Sequence, residues 1–197
     1  MRIAVSGSHS LGKSTFVQDF IDAHPNYQLE TEPYRALRDN YNIKFGKDST
    51  RFCNGIQFYY NLSRVKQYQN ASCNVIFDRC PIDYIAYSLY TEKYKQTDLD
   101  MKFIESLIAP TREALKYIDL LIFISINDKH LVDIEDDGIR PIDVSYRAEV
   151  DNFFKQIYFE QKYQVMPVKK APYFIELWGD RKERLEKVAR ILKQLNV

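Results

Sequence analysis

The chain has 197 residues, enough for one ordinary domain and too few for two of full size, and 45% of them are apolar, enough for a sizeable core. Lys and Arg number 28 against 27 Asp and Glu, a net charge of +1, so no global field draws in long nucleic acid or an anionic membrane. Disorder, collagen and coiled coil are excluded, and the compositional excess is aromatic, with 15 Tyr and 12 Phe.

In chain order, β-rich runs at Ile3 to Val5, Tyr27 to Thr31, Val75 to Phe77, Leu120 to Ile126 and Tyr173 to Leu177 predict five strands. Between them, Ser14 to Ala23, Tyr34 to Tyr41, Arg51 to Gln69, Ile82 to Tyr90, Asp100 to Lys116, Ser145 to Tyr163 and Arg181 to Gln194 predict helices. This alternation predicts an α/β fold on a parallel sheet, with residues 1–197 as one domain and no internal repeat or linker. The apolar run Ile3 to Val5 is too short for a secretory core, and no later run approaches the roughly 18 residues a membrane span needs. Cys53, Cys73 and Cys80 are odd in number and lack metal-ligand spacing, which fits a reducing, cytoplasmic setting.

The densest chemistry lies at the N-terminus. Gly7, Ser8, His9, Ser10, Leu11, Gly12, Lys13 and Ser14 satisfy GxxxxGK[ST] between a strand and an amphipathic helix, and with Thr15 they form the expected nucleotide-binding segment. Glycines let backbone N–H groups converge on phosphate oxygens, Lys13 bridges the β- and γ-phosphates, and Ser14 ligates Mg²⁺.

Three further carboxylates and one arginine fall near the predicted strand ends. Asp78 closes the third strand as a second Mg²⁺ ligand, and Arg79 suits a phosphate that gains charge during transfer. Glu32, better fixed by Pro33 than Glu30 is, is placed to accept a hydroxyl proton, with a helix cap or an ion pair as the alternative. Asp83 either bonds a substrate hydroxyl or serves as a helix-start carboxylate. On the Arg51 to Gln69 helix, Phe52, Ile56, Tyr59, Tyr60 and Ser63 follow the spacing of a core stripe.

Residues 127 to 143 contain DIEDDGIRPID, a polar tract between strong elements and a candidate lid reaching to about 147, with a plain solvated loop as the alternative. Asp133, Glu135, Asp137 and Gly138 mimic a calcium loop, but Val144 stands where its closing Glu belongs. Gly179 and Asp180 predict a cap for the last helix.

These segments resemble the nucleoside-kinase-like P-loop NTPases, including deoxynucleoside kinases and the ribosylnicotinamide kinase branch. IQFYYNLSR resembles the helix whose glutamine reads the base, which implies Gln57 as a substrate contact. FDRCPIDYIAYSLY resembles the acidic-Arg-Ser motif, with Cys80 in place of the usual Ser. TEPYR implies Glu32 as the base and Arg35 as a substrate-side helper, and DGIRPIDVSYR implies Arg140 and Arg147 as lid contacts to the donor phosphates.

The expected architecture is a three-layer P-loop fold whose five-stranded parallel sheet runs 2-3-1-4-5. The expected function is ATP- and Mg²⁺-dependent phosphoryl transfer to a hydroxyl of a nucleoside-like small molecule. No long nucleic acid or membrane partner is expected, and a homodimer is left open. A regulatory GTPase is disfavoured because SINDKH stands where [NT]KxD should follow the fourth strand. A polynucleotide end kinase would want a basic stripe that is not evident. The alternative is a nucleotide-binding regulatory or signalling protein with a degenerate kinase site.

Overall fold

Five short strands set the frame. The computed structural model describes residues 1–70, 72–130, 132, 134 and 142–195. Strands β1 (Arg2–Ser6), β2 (Gln28–Glu30), β3 (Val75–Asp78), β4 (Leu120–Ile124) and β5 (Tyr173–Leu177) pair in parallel in the order β2-β3-β1-β4-β5, as the sequence led us to expect. Both β3 and β4 are buried along their whole length, so they read as apolar runs rather than alternating ones.

Side chains alternate between two cores. Ile3, Val5, Ile122 and Ile124 pack with Phe16, Val17 and Phe20 of α1 (Lys13–Ala23) and with Val188 and Leu192 of α7 (Arg181–Gln194). Ala4, Phe77, Leu121 and Phe123 join the opposite core, beneath α3 (Arg51–Gln67), α4 (Pro81–Tyr94), α5 (Met101–Leu115) and α6 (Val144–Tyr158). The helices start where local chemistry allows. Thr50, Asp100, Asp143 and Asp180 accept backbone N–H groups as N-caps, and Pro33 and Pro81 open α2 (Pro33–Leu37) and α4.

Several boundaries differ from expectation, among them the extension of α4 to Tyr94 instead of Tyr90 and the end of β4 at Ile124 instead of Ile126. Helix α2 stops at Leu37 instead of Tyr41, because Arg38, Asp39 and Asn40 are exposed and offer no apolar face. Helix α6 stops at Tyr158 instead of Tyr163, since Gln161 and Tyr163 adopt φ of 54° and 66°. It starts at Val144, one residue before the expected Ser145, with Arg147 in its first turn. Of the lid candidate, Arg140, Asp133, Glu135, Asp136 and Asp137 lie outside the described residues. Among the described residues no helix is long and apolar enough to cross a membrane.

Parallel pairing sends the carboxyl ends of the strands to one edge. Val5 sits opposite Asp78, and Leu29 and Glu30 sit opposite Ile76 and Phe77, so Gly7, Glu32 and Arg79 all follow strands at that edge. This is where open α/β sheets place their ligands.

Candidate active site

The loop after β1 is shaped by two glycines. Gly7 adopts φ of 137°, and a Cβ there would lie 2.3 Å from the carbonyl oxygen of Ile124. Gly12, at φ 73°, caps α1, and no acidic residue stands in that helix's first turn to quench its positive end. Lys13 Nζ donates to the Ser8 carbonyl, and Ser8 Oγ donates to the Arg147 carbonyl at 2.9 Å. Ser10 follows at φ 53°, His9 packs its ring 4.6 Å from Tyr146, Leu11 is buried, and Thr15 is exposed on α1.

Ser14 Oγ donates to Asp78 Oδ2 at 2.6 Å. The other carboxylate oxygen, Asp78 Oδ1, is buried with no hydrogen-bond partner among the described residues. Two adjacent hard oxygens, one of them with unused acceptor capacity, fit Mg²⁺, which completes its shell with water and phosphate. Among the described residues no group of three or more His, Cys, Asp or Glu forms a metal cage.

Beside this loop lies a buried ionic cluster. Arg79 donates from Nε to Glu32 Oε1 at 2.9 Å, with Nη2 in an ion pair 2.8 Å from the same oxygen, and from Nη1 to Asp83 Oδ2 and to the Gly7 carbonyl, both at 3.0 Å. Its φ of 128° is costly for a side-chain-bearing residue, and these bonds hold it there. Burial works against the Arg79 charge, but Glu32 first, then the nearby Tyr87 and Asp83, outweigh it and keep the guanidinium firmly protonated. Burial pushes the Asp83 carboxyl up, opposed by Arg79, Ser6 and Lys13. Both of its oxygens already accept a bond, from Ser6 and from Arg79, so it supports Arg79 from beneath. Glu32 combines three roles. It precedes Pro33 at the start of α2, pairs with Arg79, and borders the adjoining pocket.

That pocket encloses about 470 Å³, its open mouth included, with walls of Phe45, Tyr84, Tyr87 and Tyr146 and polar groups from Asn54 and Gln57. The Arg79 guanidinium lies 5.5 Å from the Tyr87 ring centre. Gln57 is buried and donates to the Cys53 carbonyl at 2.9 Å. The core-stripe expectation for α3 is corrected here. Phe52 and Tyr59 are more than half exposed, and the buried face is Cys53, Asn54, Gln57, Phe58, Asn61, Leu62 and Val65. Inward-facing amides line a pocket, which apolar periodicity cannot register.

Arg147 is buried against the phosphate loop, donating from Nη1 to the Ser10 carbonyl at 3.3 Å and to the Val132 carbonyl at 2.6 Å. Arg35 is exposed on α2 and is not part of the pocket lining. Sequence reasoning passed over Arg184, whose Nη1 donates to the Leu11 carbonyl at 2.8 Å and whose Nε donates to the Gly179 carbonyl at 2.9 Å. In a helix rich in cations nothing marks it out. The turn before it is as expected, with Asp180 and Glu183 forming a reciprocal capping box.

The phosphate loop, the Ser14–Asp78 pair and the 2-3-1-4-5 sheet define a P-loop domain of nucleoside-kinase-like fold. A family model described as an AAA domain matches residues 2–174, and the chain belongs to that family. Among solved structures it is similar to deoxyadenosine kinase from M. mycoides with dCMP and dCDP bound. That match has 16% identity and a TM-score of 0.68, covering 98% of this chain and 100% of the other. Thymidylate kinase from Candida albicans matches at 16% identity and 0.68, covering 99% of this chain and 92% of the other. NadR protein in complex with NR matches at 17% identity and 0.66, covering all of this chain and 52% of the other. No curated protein matches the sequence.

Proposed function

We propose that this chain is a small-molecule kinase that transfers the γ-phosphoryl group of ATP to a hydroxyl of a nucleoside-like acceptor. The observation that carries the reading is Arg79, which bonds the Gly7 carbonyl of the phosphate loop and Glu32 at the pocket wall with one guanidinium. Donor and acceptor sites thus share a residue. The solved kinases of the same fold support it.

In this reading Gly7 through Thr15 wrap the triphosphate, with Lys13 on its outer phosphates. Ser14 and Asp78 hold Mg²⁺, which when bound neutralises charge on the phosphates. The acceptor's flat ring packs among Phe45, Tyr84, Tyr87 and Tyr146, with Gln57 as its polar partner. Its hydroxyl oxygen forms a bond to the γ-phosphorus, the bond from that phosphorus to the β-bridging oxygen breaks, and ADP leaves. Glu32 takes the hydroxyl proton, while Arg79 and Arg147 balance the growing negative charge. Arg140, implied by resemblance only, lies outside the described residues. Arg35, likewise implied by resemblance only, is exposed on α2 and is given no step here.

Charge favours an unphosphorylated acceptor. Among the described lining residues Arg79 is the single cation, and two carboxylates already engage it. The phosphate loop and Asp78, Arg79 and Glu32 are all intact, which favours an enzyme over a degenerate regulatory site. We read residues 1–197 as one catalytic domain. A thermal-shift screen of nucleosides with a non-hydrolysable ATP analogue and Mg²⁺ tests the proposal. Extra stabilisation by particular nucleosides, but not by their monophosphates, is the expected result. A protein indifferent to the analogue contradicts it.

A further inference from the structure

A buried line of hydroxyl groups runs from the end of α6 to the ionic cluster. Tyr158 OH donates to Ser6 Oγ at 2.6 Å, and Ser6 Oγ donates to Asp83 Oδ1 at 2.7 Å. Asp83 Oδ2 then accepts from Arg79, which ends on Glu32. Elements β1, α4 and α6 and the segments that follow β2 and β3 contribute to this line, and none of its members is more than 6% exposed.

Its direction is fixed by chemistry. An ionised carboxylate only accepts, so Ser6 must donate to Asp83, and the Ser6 oxygen must in turn accept from Tyr158. Burial pushes the Tyr158 hydroxyl up, which keeps it a donor. Packing alone does not require this hydroxyl. The Tyr158 ring sits 4.9 Å from both Phe123 and Phe174, where a phenylalanine would fill the same space. A buried hydroxyl is costly unless bonded, and here its bond leads to the site. At its other end α6 places Tyr146 in the pocket wall and Arg147 on the phosphate loop.

We propose that Tyr158 and Ser6 are positioning residues for phosphoryl transfer, their hydroxyl chain holding Asp83 so that Arg79 is shared between Asp83 and Glu32. This rests on the reading of Glu32 as the proton acceptor. Without the chain, buried Asp83 takes up a proton more readily and loosens its hold on Arg79. Arg79 then pairs with Glu32 alone, and Glu32 becomes the weaker base.

The test uses Tyr158→Phe, Ser6→Ala and their double variant, with two readouts. One is the ¹H–¹⁵N signal of Arg79 Nε–H, identified by its loss in Arg79→Lys. The other is steady-state kinetics with the acceptor found by screening. Expected is a moved Arg79 signal in each variant, kcat lower by about tenfold, an unchanged KM for ATP, and a double variant no worse than the singles. Should Tyr158→Phe fail to fold, Ser6→Ala breaks the same line and carries the test. An unmoved Arg79 signal overturns the inference, as does a wild-type kcat or a parallel loss of kcat, ATP binding and stability. If the wild-type protein phosphorylates nothing, the kinase reading falls and the kinetic role with it, while the Arg79 signal still decides whether Tyr158 sets this cluster.

Discussion

Ser14 and Asp78, 64 positions apart in the chain, meet at 2.6 Å between the phosphate loop and the end of β3. In Asp78→Asn one of the two hard oxygens is lost to an amide nitrogen or becomes a weaker ligand, without a change in shape. Turnover at saturating ATP should fall by roughly 10²-fold or more, with a higher Mg²⁺ concentration needed for half-maximal rate. A magnesium titration of wild type and variant checks this, and an unshifted midpoint contradicts the assignment.

Lys13→Ala removes the cation meant for the outer phosphates. Its hydrogen bond to the Ser8 carbonyl stays within the phosphate loop, so the fold should lose little. Turnover should drop by about 10²-fold to 10³-fold while the melting temperature moves by only a few degrees, about what a single hydrogen bond is worth. Parallel measurement of ATP consumption and thermal unfolding separates the two effects.

Gln57→Ala takes a buried amide out of the pocket wall and leaves the phosphate loop untouched. The acceptor's KM should rise by about tenfold, and the KM for ATP should stay where it was. Equal weakening of both would place Gln57 outside the acceptor site.

Glu149 of α6 accepts from Lys93 Nζ at 2.6 Å and Tyr94 OH at 2.9 Å on α4, fastening two helices that border the pocket. The Lys93 hydrogen bond first, with help from Tyr94 and against burial, holds its carboxyl below the usual range. A depressed folded-state value means stability that is present above the unfolded value, about 4.3, and lost as pH falls through the lower folded one. Glu149→Gln should therefore melt about 1–2 °C lower at pH 7, with the gap closing below about pH 4. A gap that persists at pH 3 would point to packing instead.

The sheet and the phosphate loop were legible because their signals are local. Buried parallel strands are apolar runs, and a glycine-rich turn with Lys13 and Ser14 leaves little room for another reading. The meeting of Glu32 and Arg79 was legible by position, since both follow strands that any parallel sheet sends to one edge. Tyr158 was not, because a tyrosine whose ring packs in an aromatic core and whose hydroxyl serves the site has the same spacing as a core residue. On α3 the apolar pattern misled, since the face turned inward carries Asn54, Gln57 and Asn61. Arg147 falls at the start of the helix after the polar tract, as its position in the sequence led us to expect, but nothing in the spacing marks its bonds to the Ser10 and Val132 carbonyls.

Acceptor-dependent formation of ADP separates a kinase from a protein that only binds or hydrolyses ATP. The purified chain, with ATP and Mg²⁺, should release ADP only slowly alone and far faster with one or a few nucleosides, each recovered as its monophosphate. Glu32→Gln should suppress that acceleration while leaving ATP analogue binding in place. If ATP is consumed at one rate whatever acceptor is present, or if nucleoside monophosphates are phosphorylated in preference to nucleosides, the assignment of this chain as a nucleoside-type kinase is contradicted.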